Sequence, residues 1–231
     1  MTKIMKSLSM RELMARIVGE WAARDAAYDI PGALTRRVLE LERRSPGFAV
    51  HGLSLGLPVG PAAGPHTQIA PNLVAAWLAG ARVFELKTVQ ENDRLDIAKP
   101  CIDALDEGHN VEWSTELLLE EACAEYLRGW IAIHALRAAL SETPGAVMFN
   151  MSVGYTLDGI KGAKVDAFIE GLRAPAGTPA WETALREARE AVDAPAFARA
   201  FGAAGAARAR AALRVVPAAP VHSVTLSTMH G

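Results

Sequence analysis

Cysteine is scarce in this chain. Of 231 residues only Cys101 and Cys123 carry a thiol, and they form no CxxC pair. That argues against a disulfide framework and makes a reduced, cytoplasmic compartment the expectation. An excess of one charge sign is missing too: 24 Lys and Arg face 26 Asp and Glu, a net charge of −2. Such a balance gives no electrostatic case for nucleic acid or an anionic membrane. No apolar run reaches the roughly 18 residues that a membrane span needs, and the first residues lack the apolar core of a secretory signal. The histidines and cysteines show no metal-ligand spacing, so no metal site is expected. Neither a P-loop nor a Ser-His-Asp order is legible.

About half of the chain is apolar (51%), enough for one sizeable domain. Its centre of organisation is residues 57–90, LPVGPAAGPHTQIAPNLVAAWLAGARVFELKTVQ. Residues 57–61 read as a short strand that breaks into a Gly/Pro-rich turn. Residues 72–78 carry helical apolar spacing, with Pro71 at the tolerated first turn and Gly80 at the end. Residues 82–86 read as a second strand finishing in Lys87 and Thr88. Two parallel strands joined by one helix form a βαβ unit, whose chemistry belongs at the strand C-termini.

Upstream, Ser9 and Glu12 form a capping box for a helix that should bury Leu13, Ile17, Val18 and Trp21 and run to about Tyr28. Residues 33–46 alternate in charge and read as a solvated crossing segment. Residues 48–50 and 53–55 flank His51-Gly52 as a short hairpin. Downstream, residues 91–111 read as a long loop that could cover an active-site mouth. Residues 112–140 follow as a helix, with Glu112 and Glu116 near its start and Leu127, Trp130 and His134 near one face. A third strand spans 147–151, with Asn150 at its end. A helix over 159–172 follows, then one opened by Thr178-Pro179, then an Ala/Arg-rich helix over 198–213 weakened by Gly202 and Gly205. The Ala/Arg bias lacks aromatic interleaving and does not argue for nucleic acid. A fourth strand spans 221–226.

Six runs resemble one family in order: GPAAGPHTQ (60–68), ELKTVQ (85–90), DRL…KPCID (93–103), EWSTE (112–116), FNMSVGY (149–155) and TLSTMHG (225–231). They are similar to the N-terminal part of the large iron–sulfur flavoproteins designated selenate reductase subunits, within the superfamily of dihydroorotate and dihydropyrimidine dehydrogenase FMN barrels. The resemblance is weakest over 173–219. It implies an α/β fold: an incomplete (β/α)8 TIM barrel of about the first four β/α units, with long helical insertions. Residues 1–47 would be a helical extension and 48–231 the first half of the barrel. Four strands do not close a barrel. The expectation is therefore a fragment of a longer chain, with a short subunit closed by a complementary partner as the alternative.

The resemblance also implies a site. Ala62, Ala63 and Gly64 would let a flat FMN ring lie on the backbone, with amide N–H groups facing its heteroatoms; the alternative is an ordinary glycine turn. Lys87 would stand near the flavin pyrimidine edge and Thr88 would hydrogen-bond the ring; the alternative is a surface lysine capping a strand. Asn150 would contact flavin or substrate, with Ser152 on the same face, or else would merely cap a loop. Ser227 and Thr228 would meet substrate. Where the dehydrogenases have Asn-x-Ser, this chain has Leu226-Ser227-Thr228, so pyrimidine chemistry does not carry over. His66 and Thr67 extend the first loop over the mouth, whereas His134 and His222 read as packing residues. Cys101 is a weaker candidate for a reactive thiol, and His230 follows the fourth strand. FAD, iron–sulfur clusters, the NADPH site and the catalytic acid are expected beyond Gly231. The implied activity passes electrons from reduced pyridine nucleotide through flavin to a small substrate. The rivals are a lyase or aldolase using Lys87 as a Schiff base and a non-catalytic half-barrel that serves in assembly.

Overall fold

A computed structural model describes residues 7–91, 102–104, 108–110, 117–217 and 221–228. Helix α1 (Met10–Arg24) opens on the expected box: Ser9 N donates to Glu12 Oε2 at 2.8 Å, and Glu12 N donates to Ser9 Oγ at 3.2 Å. Leu13, Ile17, Val18 and Trp21 are buried as read. The helix stops short of Tyr28, however. Asp25 takes a left-handed conformation (φ 48°), and strands β1 (Ala26–Ala27) and β2 (Ile30–Pro31) pair around Tyr28 and Asp29, which also have positive φ. A carboxylate explains the early turn, since Glu20 accepts from Tyr28 N at 2.6 Å. Residues 33–46 are not a crossing segment but mostly helix α2 (Gly32–Arg44). Its inward side is Thr35, Val38 and Glu42, too polar to register as an apolar stripe. Strands β3 (Phe48–Val50) and β4 (Leu53–Leu55) form the expected hairpin, with His51 and Gly52 both at positive φ.

Residues 57–61 are extended but do not form a regular strand. Val59 O accepts from Arg82 N (2.8 Å) and Val83 N (3.2 Å), and Pro61 O accepts from Glu85 N (3.2 Å). Pro58 and Pro61 have no N–H to return, so only half a ladder forms. Helix α3 (Ala70–Ala79) ends at Gly80 as expected and leads into β5 (Val83–Glu85). Within the stretch read as a loop, β6 (Ile102–Ala104) and β7 (Gly108–Asn110) pair as an antiparallel hairpin. Cys101, Glu112 and Glu116 lie outside the described residues.

The long helix α4 spans Leu119–Leu140. It is buried nearly all round rather than on one face, because the sheet side and a helical layer both cover it. Strand β8 (Met148–Tyr155) runs past the predicted end, so Asn150 is its third residue, not its last. The single helix expected over 159–172 is two, α5 (Leu157–Ile160) and α6 (Ala163–Arg173), with Gly162 between. Thr178 and Pro179 cap and open α7 (Pro179–Asp193) as read, and α8 (Pro195–Ala212) kinks at Gly202 (φ 77°). Strand β9 spans Val221–Thr228.

The sheet has the order β5-β8-β9, all parallel, with the 57–61 segment along the free side of β5. Its helix-facing side is apolar: Phe149 meets Phe84 and Trp130, each at 5.1 Å between ring centroids. Two arginines of the Ala-rich segment, Arg208 and Arg210, have intrachain partners. Arg208 donates to the carbonyls of Ala138 and Ala139 at the end of α4, and Arg210 pairs with Asp193. A cation at a helix C-terminus satisfies carbonyls that lack a partner within the helix.

Candidate functional site

Because side chains alternate along a strand, Phe149, Met151 and Val153 of β8 face the helices, and Asn150 and Ser152 face the other way. On this opposite face the chain collects polar groups from three neighbouring strands. Asn150 stands directly opposite Glu85 of β5 and diagonally from Thr225 of β9. Its Nδ2 donates to a Glu85 carboxylate oxygen and to Thr225 Oγ1, the latter at 2.7 Å. Asn150 is 8% exposed and Ser152 3%. Sequence reasoning singled out neither Glu85 nor Thr225.

Beyond the end of β5 the backbone stays joined to β8. Leu86 N donates to Asn150 O (2.9 Å), Val89 N to Ser152 O (3.1 Å) and Gly154 N to Val89 O (2.9 Å). Lys87 and Thr88 are thereby held against the C-terminal half of the sheet. The Thr88 and Ser152 hydroxyls are 2.8 Å apart and hydrogen-bonded. Lys87 is buried, 5% exposed. The buried Tyr126 hydroxyl donates to Lys87 O at 2.9 Å, fixing the backbone under it; burial raises the Tyr126 pKa well above its ordinary value, so the phenol stays a donor.

The small-residue turn follows Pro61, whose carbonyl bonds Glu85 N. Ala62 is exposed, Ala63 half-buried and Gly64 buried. One expectation is corrected here. Gly64 N donates to Thr67 Oγ1 at 3.2 Å, so this amide turns into its own loop rather than toward a ligand. Thr67 is buried by that role, and His66 is exposed. The backbone of Ser227 and Thr228 continues β9, in register with Gly154 and Tyr155. The side chains of Ser227, Thr228 and His222, and all of His230, lie outside the described residues.

His134 is a packing residue. Arg137 Nη1 can only donate to its Nε2 (3.2 Å), so Nδ1 carries the proton and donates to Trp130 O (3.0 Å). Cys123 lines an apolar cavity of about 550 Å³ between α4, α6 and α7, and burial pushes its thiol up to about 12. A second cavity of about 530 Å³ lies between α1, α7 and α8. Neither takes a lining residue from the strand ends. Among the described residues no cluster of His, Cys, Asp or Glu suits a metal ion, and no helix is long and apolar enough to cross a membrane.

Parallel strands backed by helices, with polar groups at the strand C-termini, make an α/β domain of the kind from which β/α barrels are built. Residues 35–231 match the family described as oxidoreductase YgfK, N-terminal TIM-barrel domain, and the chain belongs to that family. It is 41% identical over 238 residues to the protein named "Putative oxidoreductase YgfK" in Escherichia coli strain K12 and in strain O157:H7. The alignment covers all of this chain but 22% of each relative's length. A second similarity, 41% over 78 residues to urease accessory protein UreF of Pseudomonas aeruginosa, covers 32% of the chain and assigns no family. No solved structure matches.

Proposed function

We propose that this chain supplies the flavin-facing strands of an oxidoreductase. The observation that carries the reading is the placing of Thr88, Asn150 and Ser152 on one side of the C-terminal half of one parallel sheet, with the buried Lys87 next to Thr88 in the chain. It is strengthened by membership of an oxidoreductase TIM-barrel family. These residues fit FMN. Ala62 and Ala63 leave a low surface for a planar ring. Lys87 brings a cation to a site shielded from water, where it would stabilise negative charge on the ring's pyrimidine edge. The Thr88–Ser152 pair and Asn150 provide hydroxyl and amide groups to orient a polar edge. Bound there, FMN would supply hydride transfer to a small substrate. Because the chain spans about a fifth of its curated relatives, electron delivery from reduced pyridine nucleotide through FAD and iron–sulfur centres belongs to other parts of the assembly. The remaining barrel strands belong there too.

Flavin titration of the longer protein tests the reading. FMN should bind with quenched fluorescence, and Lys87→Met should weaken it about tenfold, the equivalent of about 1.4 kcal/mol. Borohydride treatment with a keto acid should leave Lys87 unmodified. A colourless protein that binds no flavin, or a covalent adduct on Lys87, would overturn the proposal.

A further inference from the structure

We infer that a β-bulge at Lys87 and Thr88 turns the Thr88 hydroxyl to the ligand face, and that Tyr126 is the positioning residue that holds the bulge. The insertion is visible in the register. Glu85 of β5 pairs with Asn150, and Val89 bridges to Val153, so four residue steps on the β5 side match three on β8. The hydrogen bonds agree. Leu86 N and Val89 N, three residues apart, donate to Asn150 O and Ser152 O, which are two apart. One extra residue is thus inserted between Leu86 and Val89, the defining feature of a bulge.

Side chains follow the same break. In a regular strand, residues three apart face opposite ways. Here Glu85 meets Asn150 and Thr88 meets Ser152, on one face. Leu86 and Val89, also three apart, both lie in the apolar core. Without the extra residue Thr88 would turn toward the helices, away from Ser152.

A bulge disrupts the regular pairing, and a buried carbonyl left without a donor is costly. Tyr126 supplies a donor from α4: its hydroxyl reaches Lys87 O, inside the bulge, at 2.9 Å. Its ring packs edge-on against Phe168, with centroids 6.2 Å apart, so ring and hydroxyl have separate tasks. The role given to Tyr126 rests on reading these strand ends as a ligand site; the bulge itself does not.

Hydrogen exchange in the parent chain tests the bulge. The Leu86 and Val89 amides should be protected, whereas Thr88 N, which a regular strand would bond to Ser152 O, should exchange about tenfold faster than Val89. A Thr88 amide at least as protected as Val89 would mean a regular strand and overturn the proposal. Lys87-Thr88 is the sole Lys-Thr pair in the sequence, so ¹³C-carbonyl lysine combined with ¹⁵N-threonine gives one correlation that reads the Lys87 carbonyl alone. Tyr126→Phe keeps the ring and should move this signal; an unmoved signal would overturn the role of Tyr126. Should Tyr126→Phe fail to fold by circular dichroism, the parent's Tyr126 hydroxyl proton decides instead. Held on Lys87 O, it should exchange slowly enough to be seen by NMR, and its loss through fast exchange would overturn the proposal.

FMN titration of the longer protein tests the positioning. Tyr126→Phe should weaken binding about fivefold, the scale of one lost hydrogen bond, and should add little in a Thr88→Val background. Losses that add would mean that Tyr126 acts other than through Thr88, which overturns the positioning role. If the parent binds no FMN, the flavin reading fails, and the exchange pattern and the Lys87 carbonyl still decide whether the bulge exists and whether Tyr126 holds it.

Discussion

Glu42 and Arg82 meet at two points, Nε to Oε1 at 2.8 Å and Nη2 to Oε2 at 2.9 Å, with side chains 6% and 1% exposed. Nη1 of the same arginine donates to the carbonyls of Trp77 and Ala81, and the guanidinium lies 5.1 Å from the Trp77 ring centroid. This pair ties α2 to the start of β5, at the opposite end of the sheet from Lys87. Arg137 is close by. Burial lowers its pKa to about 10, with Glu42 opposing that shift and Arg82 reinforcing it. Removing the one carboxylate leaves the buried Arg82 without its anion and takes a neighbouring negative charge from the half-buried Arg137.

Glu42→Gln should therefore cost about 3–5 kcal/mol, the usual penalty for stranding a buried charge. Replacing the pair together by Leu and Met should recover most of that loss. Urea unfolding of the three variants measures it. A loss below about 1 kcal/mol for Glu42→Gln, the range of exposed pairs, would show that water reaches the pair.

Glu125 offers a second buried carboxylate with a different task. It is 0% exposed and accepts from Ala70 N at 2.6 Å, at the first residue of α3, while Arg128 holds its other oxygen at 2.6 Å. Ile69, the residue before that helix, supplies no side-chain cap. The carboxylate on α4 thus caps α3 from 55 residues away and complements the positive end of its dipole. Glu125→Gln keeps the shape and removes the charge. It should cost about 2 kcal/mol, as for a hydrogen bond to a charged group, and should speed hydrogen exchange at Ala70 more than at Gly80. Equal protection at both amides in parent and variant would refute the capping role.

Cys123 gives the pH prediction. Burial raises its thiol from 9.0 to about 12, so the folded chain prefers the neutral form. The associated stability is fully present below about 9 and is lost as pH rises toward about 12. In a Cys101→Ser background, alkylation at pH 8 should be about a thousandfold slower in the folded than in the unfolded chain, following the thiolate fraction. Unfolding midpoints should fall between pH 9 and 11 more steeply with Cys123 than with Cys123→Ala. Rapid alkylation of the folded protein at pH 8 would contradict the burial.

What was legible in the sequence was local. Ser9 with Glu12, Thr178 with Pro179, and His51-Gly52 each determine a nearby backbone conformation, and each does so in the structure. Helix α2 was not legible because its buried side includes Thr35 and Glu42, whose partners, Leu78 O and Arg82, lie about 40 residues on. The all-round burial of α4 escaped for a similar reason: Gly129 and Gly205 admit α3 and α8 closely, and neither glycine marks a face. At the candidate site, Lys87 and Thr88 could be singled out by residue type at a strand end, and Asn150 with Ser152 through the family resemblance. Glu85 and Thr225 could not, because what they do is set by an amide 65 and 75 residues away.

Gly60 tests whether residues 57–61 belong to the sheet despite their two prolines. A Cβ at this position would stand 1.4 Å from Val83 O and 2.6 Å from Val83 C, both backbone atoms of β5. No rotamer change relieves a clash with backbone, so the extended segment would have to leave β5. Its withdrawal would break the hydrogen bonds from Arg82, Val83 and Glu85 and carry the Ala62–Ala63–Gly64 turn away from the strand that bears Lys87. Gly60→Ala should therefore lose at least about 2–3 kcal/mol, the usual range for overpacking. Hydrogen exchange should accelerate at Val83 and Glu85. Gly52→Ala, in the hairpin turn with open space around the new methyl, should disturb only that turn and leave exchange at Val83 and Glu85 unchanged. A Gly60→Ala chain as stable as the parent would mean that residues 57–61 do not lie against β5, and the small-residue turn would lose its place beside Lys87.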